Sequence, residues 1–168
     1  HQQFHIPGEV QLSTLLSVKT GGCSEDCGYC SQSARHTTGV KKQELLSLEE
    51  VVAAAEKALA AGSSRFCLGA AWRSVKDNED FERVLEMVKV VSALNLEVCC
   101  TLGMLTETQA KKLAAAGLYA YNHNVDTAEE YYSEIVTTHT HEDRMSTLKN
   151  IQKAGLSVCA GGIIGMGE

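Results

Sequence analysis

Basic residues are in short supply: 15 Lys and Arg stand against 21 Asp and Glu, a formal charge of −6. That balance argues against a nucleic-acid backbone as the main partner, because such affinity comes from clustered Lys and Arg. No apolar run approaches the roughly 20 residues that cross a bilayer. The opening HQQFHIPGEV lacks the charged and apolar regions of a secretory signal. The expected setting is therefore intracellular, cytoplasmic or mitochondrial matrix, with no membrane partner. No linker or low-complexity segment divides the 168 residues, a length that ordinarily makes one domain with a real core. An initiator Met is lacking too, and the chain stops at the glycine-rich GGIIGMGE. Residues 1–168 are accordingly expected to be one domain truncated at both ends.

Cysteine is not lacking. Seven are present, and an odd number without a signal does not fit a secreted disulfide framework. In a reducing compartment such a set binds metal or does chemistry.

Periodicity alternates short β-like runs with amphipathic helical stretches. Strands are expected at 11–19, 65–70, 97–102, 118–125 and 156–162. Helices are expected at about 47–62, 77–93, 106–117 and 141–154. The first has Ser47 as N-cap and Glu50 at the capping-box position. Three helices end in AAGSSRF, AAGLYAY and KAGLSVC, glycine stopping the helix just before the next strand. Repeated β–α units imply right-handed crossovers and a parallel sheet, the α/β class.

A doubly wound sheet would bury both faces of its strands, and these strands are two-sided. By the period of two, one face carries Arg65, Cys67 and Gly69; Glu97, Cys99 and Thr101; Asn122, Asn124 and Asp126; and Ser157, Cys159 and Gly161. The other carries Phe66 and Leu68; Val98, Cys100 and Leu102; Tyr119, Tyr121 and Val125; and Leu156, Val158 and Ala160. A polar lumen with helices outside predicts a TIM-type (β/α)8 barrel. Such a barrel needs about 250 residues, so this chain supplies about five βα units.

The most informative motif is GGCSEDCGYCSQS, with Cys23, Cys27 and Cys30 in C-x3-C-x2-C spacing directly after the first strand. Three thiolates within eight residues can wrap one metal centre. Three protein ligands leave a position open for substrate, and a βα loop is where parallel barrels carry chemistry. Alternatives are a structural zinc site borrowing His36, or an electron-transfer ferredoxin site. Cys67, Cys99 and Cys159 share the polar face of three strands; they read either as small packed side chains or, converging on a lumen, as a second metal site. Cys100 has the opposite parity and is expected to pack against the helices. Asn122, Asn124 and Asp126 point inward, and buried polar groups need partners, which suggests a polar ligand. His123 is expected to be a satisfied core histidine, and TAEEYYSEI a solvated helix face. No G-x-G-x-x-G fingerprint is present.

The triplet, with Tyr29 just before its last cysteine, resembles the radical S-adenosylmethionine (SAM) superfamily. That resemblance implies a [4Fe-4S] cluster on Cys23, Cys27 and Cys30. SAM would chelate its open iron and be cleaved to methionine and a 5′-deoxyadenosyl radical. STLLSVKTGGCSEDCGYCSQS, RFCLGAAW, TLGMLTETQA, YNHNVDT and CAGGIIGMGE are together similar to the biotin synthase family. What this implies is a [2Fe-2S] cluster on Cys67, Cys99 and Cys159, its fourth ligand an Arg from a later strand outside this chain. It also implies sulfur insertion between two saturated carbons of dethiobiotin. Tyr29, Asn124, Asp126 and Arg144 would bind SAM, with Asn124 and Asp126 at the ribose and Arg144 at the methionine carboxylate. Asn122 and Asn124 would meet dethiobiotin. A flavodoxin or ferredoxin electron donor and a homodimer are expected. Other readings are a radical SAM enzyme with one [4Fe-4S] cluster, or a non-catalytic truncated fragment.

Overall fold

A computed structural model describes residues 6–168, and the first five residues of the expected domain lie outside it. Five strands run in chain order: β1 Ser13–Lys19, β2 Arg65–Ala70, β3 Glu97–Thr101, β4 Ala120–Asn122 and β5 Ser157–Cys159. All neighbouring pairs are parallel and the sheet order is β1-β2-β3-β4-β5. A doubly wound sheet reverses its strand order at a switch point. This sheet never reverses, so its strands follow one another as in a barrel wall.

The helices are α1 Leu48–Ala60, α2 Glu79–Ala93, α3 Glu107–Ala115, a single turn α4 Tyr132–Ile135, and α5 His141–Lys153. Ser47 and Glu50 form the expected capping box, and Thr106 with Gln109 and Thr140 with Asp143 repeat it. Helix α2 starts later than expected. Asn78 accepts from the Phe81 amide at its N-terminus, while Asp77 turns to Gln109 and Lys112. The expected glycine stops hold: Gly62, Gly117 and Gly155 all have positive φ, and Asn95 does the same after α2. One face of each long helix is apolar. Helix α2 buries Phe81, Val84, Leu85, Met87, Val88 and Val91.

The core lies between sheet and helices. Val18, Phe66, Leu68, Val98, Cys100, Leu102 and Tyr121 are all fully buried there, the face that strand parity selected. Burying such side chains contributes about 1.5–3 kcal/mol each. Val158, 38% exposed on the edge strand β5, and Ala160 beyond it depart from that reading, since no further unit of the described residues covers that edge, and so does Tyr119. It precedes β4, is 48% exposed, and lies under the Arg65 guanidinium.

Strands β4 and β5 are shorter than expected, yet their pairing continues beyond them. His123 donates to the Cys159 carbonyl and Val125 to the Gly161 carbonyl, both at 2.9 Å. Asp126 then takes a left-handed backbone, φ 63°, which breaks strand geometry. TAEEYYSEI is a 3₁₀ turn, Glu129–Tyr131, followed by α4. It is not a wholly solvated face, because Tyr132 is buried.

Candidate functional site

The loops that follow β1 to β4 meet at the carboxyl ends of the strands around one cavity of about 330 Å³. That volume lies within the 300–1,000 Å³ range of small-molecule sites. Cys23, Cys27 and Cys30 line it together with Tyr29, Asn122, Asn124, Asp126 and Arg144. The structure therefore brings the loop triplet and the five residues expected to bind SAM or dethiobiotin to one cavity.

The thiol loop begins with two left-handed glycines, Gly21 and Gly22, and its fold is fixed from within. Cys23 donates to the Gln32 carbonyl and accepts from Ala34, while the Cys30 amide donates to the Cys27 carbonyl. Cys27 packs with Tyr132 and Val136 in a small apolar cluster. The Asp26 carboxylate accepts from the Thr137 and Thr138 amides at 3.0 and 3.2 Å, and Gly28 donates to the Ile135 carbonyl. These bonds hold Asp26 well below the usual carboxylate range, the Thr137 hydroxyl contributing most.

All three thiols of the loop are free. Burial pushes Cys23 up and Cys27 up to about 12, the nearby Arg144 charge only partly opposing it at Cys27. Metal binding here must therefore displace protons. His36 is not turned toward them as a zinc ligand would be. Its Nε2 lies 3.1 Å from the carbonyls of both Asp26 and Cys27. Among the described residues, no three Cys, His, Asp or Glu side chains converge as on a single metal ion.

Asp126 is the electrostatic centre. It is 2% exposed, and its Oδ1 accepts from the Tyr29 hydroxyl at 2.5 Å. Oδ2 accepts from the Tyr132 hydroxyl at 2.9 Å and faces Arg144 Nη2 at 3.0 Å. Arg144 is thus largely buried in an ion pair with Asp126. A carboxylate offers about four lone-pair sites, so three protein donors leave room for roughly one from a ligand, not the two ribose hydroxyls it could accept if free. Burial raises the Asp126 pKa, but His139, Arg144 and the two tyrosine hydroxyls outweigh it and hold the group at about 2.

A group depressed from 3.8 to about 2 contributes stability above pH ~4 and loses it as pH falls through ~2. The expected loss is roughly 2 kcal/mol at 1.36 kcal/mol per unit. Urea unfolding of the native protein and Asp126→Asn between pH 5 and 2 measures it: the variant curve should be flatter by that amount. Parallel curves would refute the assignment.

His123 is buried, as expected, but not satisfied. Its Nε2 has no partner and the residue lines the cavity. Burial, with the Arg144 charge adding, pushes its pKa down to about 3, so the ring is a neutral donor or acceptor at physiological pH. Asn124 stands exposed on the cavity wall, and Asn122 donates to Cys159 Sγ at 3.5 Å.

The second triplet lies on the same sheet face, outside the cavity lining. Cys67 and Cys99 are register partners, and a thiol–thiol hydrogen bond pushes Cys67 down and Cys99 up. Cys159 pairs with Asn122, two residues beyond Ala120, the partner of Cys99. It therefore sits one level nearer the cavity than the other two. Strand parity identified the common face, but the difference in level follows only from the register. Arg65 is occupied by Glu97, Nη2 to Oε2 at 2.9 Å.

Sequence reasoning missed Glu25, Arg73, His139 and Tyr132, all near Asp126 or the thiol loop. No motif marked them, although Glu25 lies inside the triplet.

Comparison with known proteins gives three findings. The profile of the radical SAM superfamily matches residues 17–168. The biotin synthases of Flavobacterium johnsoniae, Nostoc punctiforme and Gloeobacter violaceus are 60%, 58% and 59% identical over the whole chain, which covers 46%, 50% and 53% of them. The chain thus spans about half the length of these relatives. Among solved structures, methylornithine synthase (PylB) superposes with a TM-score of 0.80 at 21% identity, over 94% of this chain and 46% of that one. The hydrogenase maturase HydG superposes at 0.74 and 21% identity, over 91% and 35%. At those identities the likeness speaks for the fold alone: a partial barrel of four βα units and a fifth strand, one unit short of the five expected from the sequence.

Proposed function

The chain belongs to the radical SAM superfamily, and from that premise we propose that it is part of a biotin synthase. The reaction would insert sulfur between two saturated carbons of dethiobiotin. The observation that carries the proposal is the meeting of Cys23, Cys27 and Cys30 with Asn124, Asp126 and Arg144 on one cavity wall. The identity of about 60% to named biotin synthases supports it.

The residues fit the groups that the reading requires. Three free thiols on one loop suit three corners of a [4Fe-4S] cluster and leave one iron for the amino and carboxylate groups of SAM. Held by those thiols, the cluster would, once reduced, supply an electron to the SAM sulfonium and so a carbon radical able to attack unactivated C–H bonds. Around it, Arg144 offers a guanidinium for the methionine carboxylate, Asp126 its remaining acceptor site and Asn124 its amide for the ribose, and Tyr29 the hydroxyl that holds Asp126. Asn122 and Asn124 can donate to and accept from the dethiobiotin ring.

For the [2Fe-2S] cluster, the proposal assigns Cys67, Cys99 and Cys159. Supporting it are three free thiols on one sheet face, two of them register partners on neighbouring strands. Arg65 is committed to Glu97, which favours an arginine from elsewhere as fourth ligand. A flavodoxin or ferredoxin donor and a homodimeric assembly complete the proposal. No helix among the described residues is long and apolar enough to cross a membrane. A reducing, intracellular setting suits seven free thiols, and bacterial relatives give a mitochondrial setting no support.

Anaerobic reconstitution of the native protein with iron and sulfide, read by Mössbauer and EPR spectroscopy, tests the reading. Both cluster types and a SAM-induced change in the EPR spectrum are expected. A [4Fe-4S] signal alone would reject biotin synthase in favour of a single-cluster radical SAM enzyme. Neither signal would reject radical chemistry.

A further inference from the structure

The Glu25 carboxylate lies inside the triplet motif, is 5% exposed, and is not a ligand in the reading above. Burying an unpartnered carboxylate costs several kcal/mol, so its partners are informative. They come from two other loops. Oε2 accepts from His139 Nδ1 at 2.6 Å and from the Thr138 hydroxyl. Oε1 faces Arg73 Nη1 at 3.0 Å as an ion pair. Arg73 in turn donates to the Thr138 carbonyl at 2.6 Å. One carboxylate thus joins the loops after β1, β2 and β4.

Beyond Glu25 the chain of contacts reaches Asp126. The His139 side chain is 1% exposed and its Nε2 lies 3.9 Å from Asp126 Oδ2, without a hydrogen-bond partner. The ring is held edge-on against Tyr132, centroids 5.8 Å apart, and Tyr132 itself donates to Oδ2. On the other side, Tyr29 of the thiol loop holds Oδ1. The thiol loop therefore meets Asp126 from two directions: bonded directly through Tyr29, and through Glu25 and a His139 ring that reaches to 3.9 Å without a hydrogen bond. Asp26 alone already pins the loop backbone to Thr137 and Thr138. A second buried pair that carries an imidazole to within 3.9 Å of Asp126 is more than loop anchoring requires.

We propose that Glu25 and His139 are positioning residues, a buried carboxylate–imidazole strut that sets the thiol loop against Asp126 so that SAM meets both in register. The inference rests on the radical SAM reading of the site. Removing a partner that orients a ligating group typically weakens function about 10–100-fold.

The test uses the native protein, anaerobically reconstituted, with three readouts: iron and sulfide content, SAM Kd by equilibrium dialysis, and the SAM-induced change in the EPR spectrum. Glu25→Gln and His139→Ala should load iron and sulfide like the native protein. Their SAM Kd should rise roughly tenfold or more, and the EPR change should shrink. His139→Asn keeps a donor near the Nδ1 position and should recover Kd to within about threefold of native, as expected if the strut to Glu25 carries the effect. An unchanged Kd in His139→Ala overturns the proposal. So does loss of cluster in both His139→Ala and His139→Asn, which would make His139 a folding residue only. If the native protein itself shows no SAM-induced change, the radical SAM reading fails and the inference falls with it. A native response retained in every variant overturns the strut alone.

Discussion

Cys27→Ala should abolish the [4Fe-4S] signals and every SAM-dependent readout, Cys99→Ala should remove only the [2Fe-2S] signal, and Cys100→Ala should leave both. The first expectation follows from the loop. Cys27 packs on Tyr132 and Val136 between two other thiols on the same cavity. Alanine keeps that packing almost unchanged while removing one of three ligands, and no other cysteine lines the cavity to replace it. The contrast between Cys99 and Cys100 tests the sheet. They are neighbours in sequence, yet Cys99 meets Cys67 across the lumen face, while Cys100 is fully buried among Leu68, Val98 and Leu102 in the helix-facing core. Burial also pushes the Cys100 thiol up, so it behaves as a small apolar side chain. Its replacement by alanine should cost about 1 kcal/mol of stability and no iron. Mössbauer spectra of the three reconstituted variants decide the matter. A [2Fe-2S] signal that survives in Cys99→Ala and vanishes in Cys100→Ala would overturn the assignment of faces.

Gly103→Ala should destabilise the protein by about 3 kcal/mol or more, through a left-handed backbone and a backbone clash together. Gly103 has φ +82°, and a Cβ there would stand 2.5 Å from the carbonyl oxygens of both Trp72 and Arg73. Those atoms cannot swing aside as a side chain would. Arg73 O accepts from Met104 N at 2.9 Å, and Val75 donates to the Met104 carbonyl at 3.1 Å. Tyr121, fully buried, accepts from the Leu102 amide at 2.9 Å and donates to the Gly103 carbonyl at 2.6 Å. Glycine thus lets the loops after β2 and β3 touch backbone to backbone at the cavity rim, where Arg73 also meets Glu25. Gly39→Ala is the control, since nothing lies within 4 Å of its Cβ position; it should change stability by less than about 0.5 kcal/mol. Urea unfolding measures both. Equal stabilities for the two variants would show that the loops give way at no cost.

Strand parity, capping residues and helix-stopping glycines were legible in the linear order because each depends on neighbours a few residues apart. Ser47 with Glu50, the buried face of Phe66 and Leu68, and the contrast of Cys99 with Cys100 all follow from local periods of 3.6 and 2. The C-x3-C-x2-C motif was legible for the same reason: its chemistry is carried within eight residues. Tyr119 and TAEEYYSEI were misread where periodicity gave way to partners distant in sequence. Tyr119 lies under Arg65, and Tyr132 is drawn into the core by Asp126 and Cys27.

By itself, then, the sequence determined the class of fold, the lumen face and the thiol loop, since backbone geometry and side-chain period act locally. Only the tertiary structure decided that Glu25 and His139 are paired across 114 residues. It also decided that Asp126 is already held by Tyr29, Tyr132 and Arg144, and that Cys159 stands one level above Cys67 and Cys99. Those relations depend on strand register and on which loops meet at the carboxyl edge of the sheet. Charges separated by a hundred residues interact only after packing has excluded the water between them.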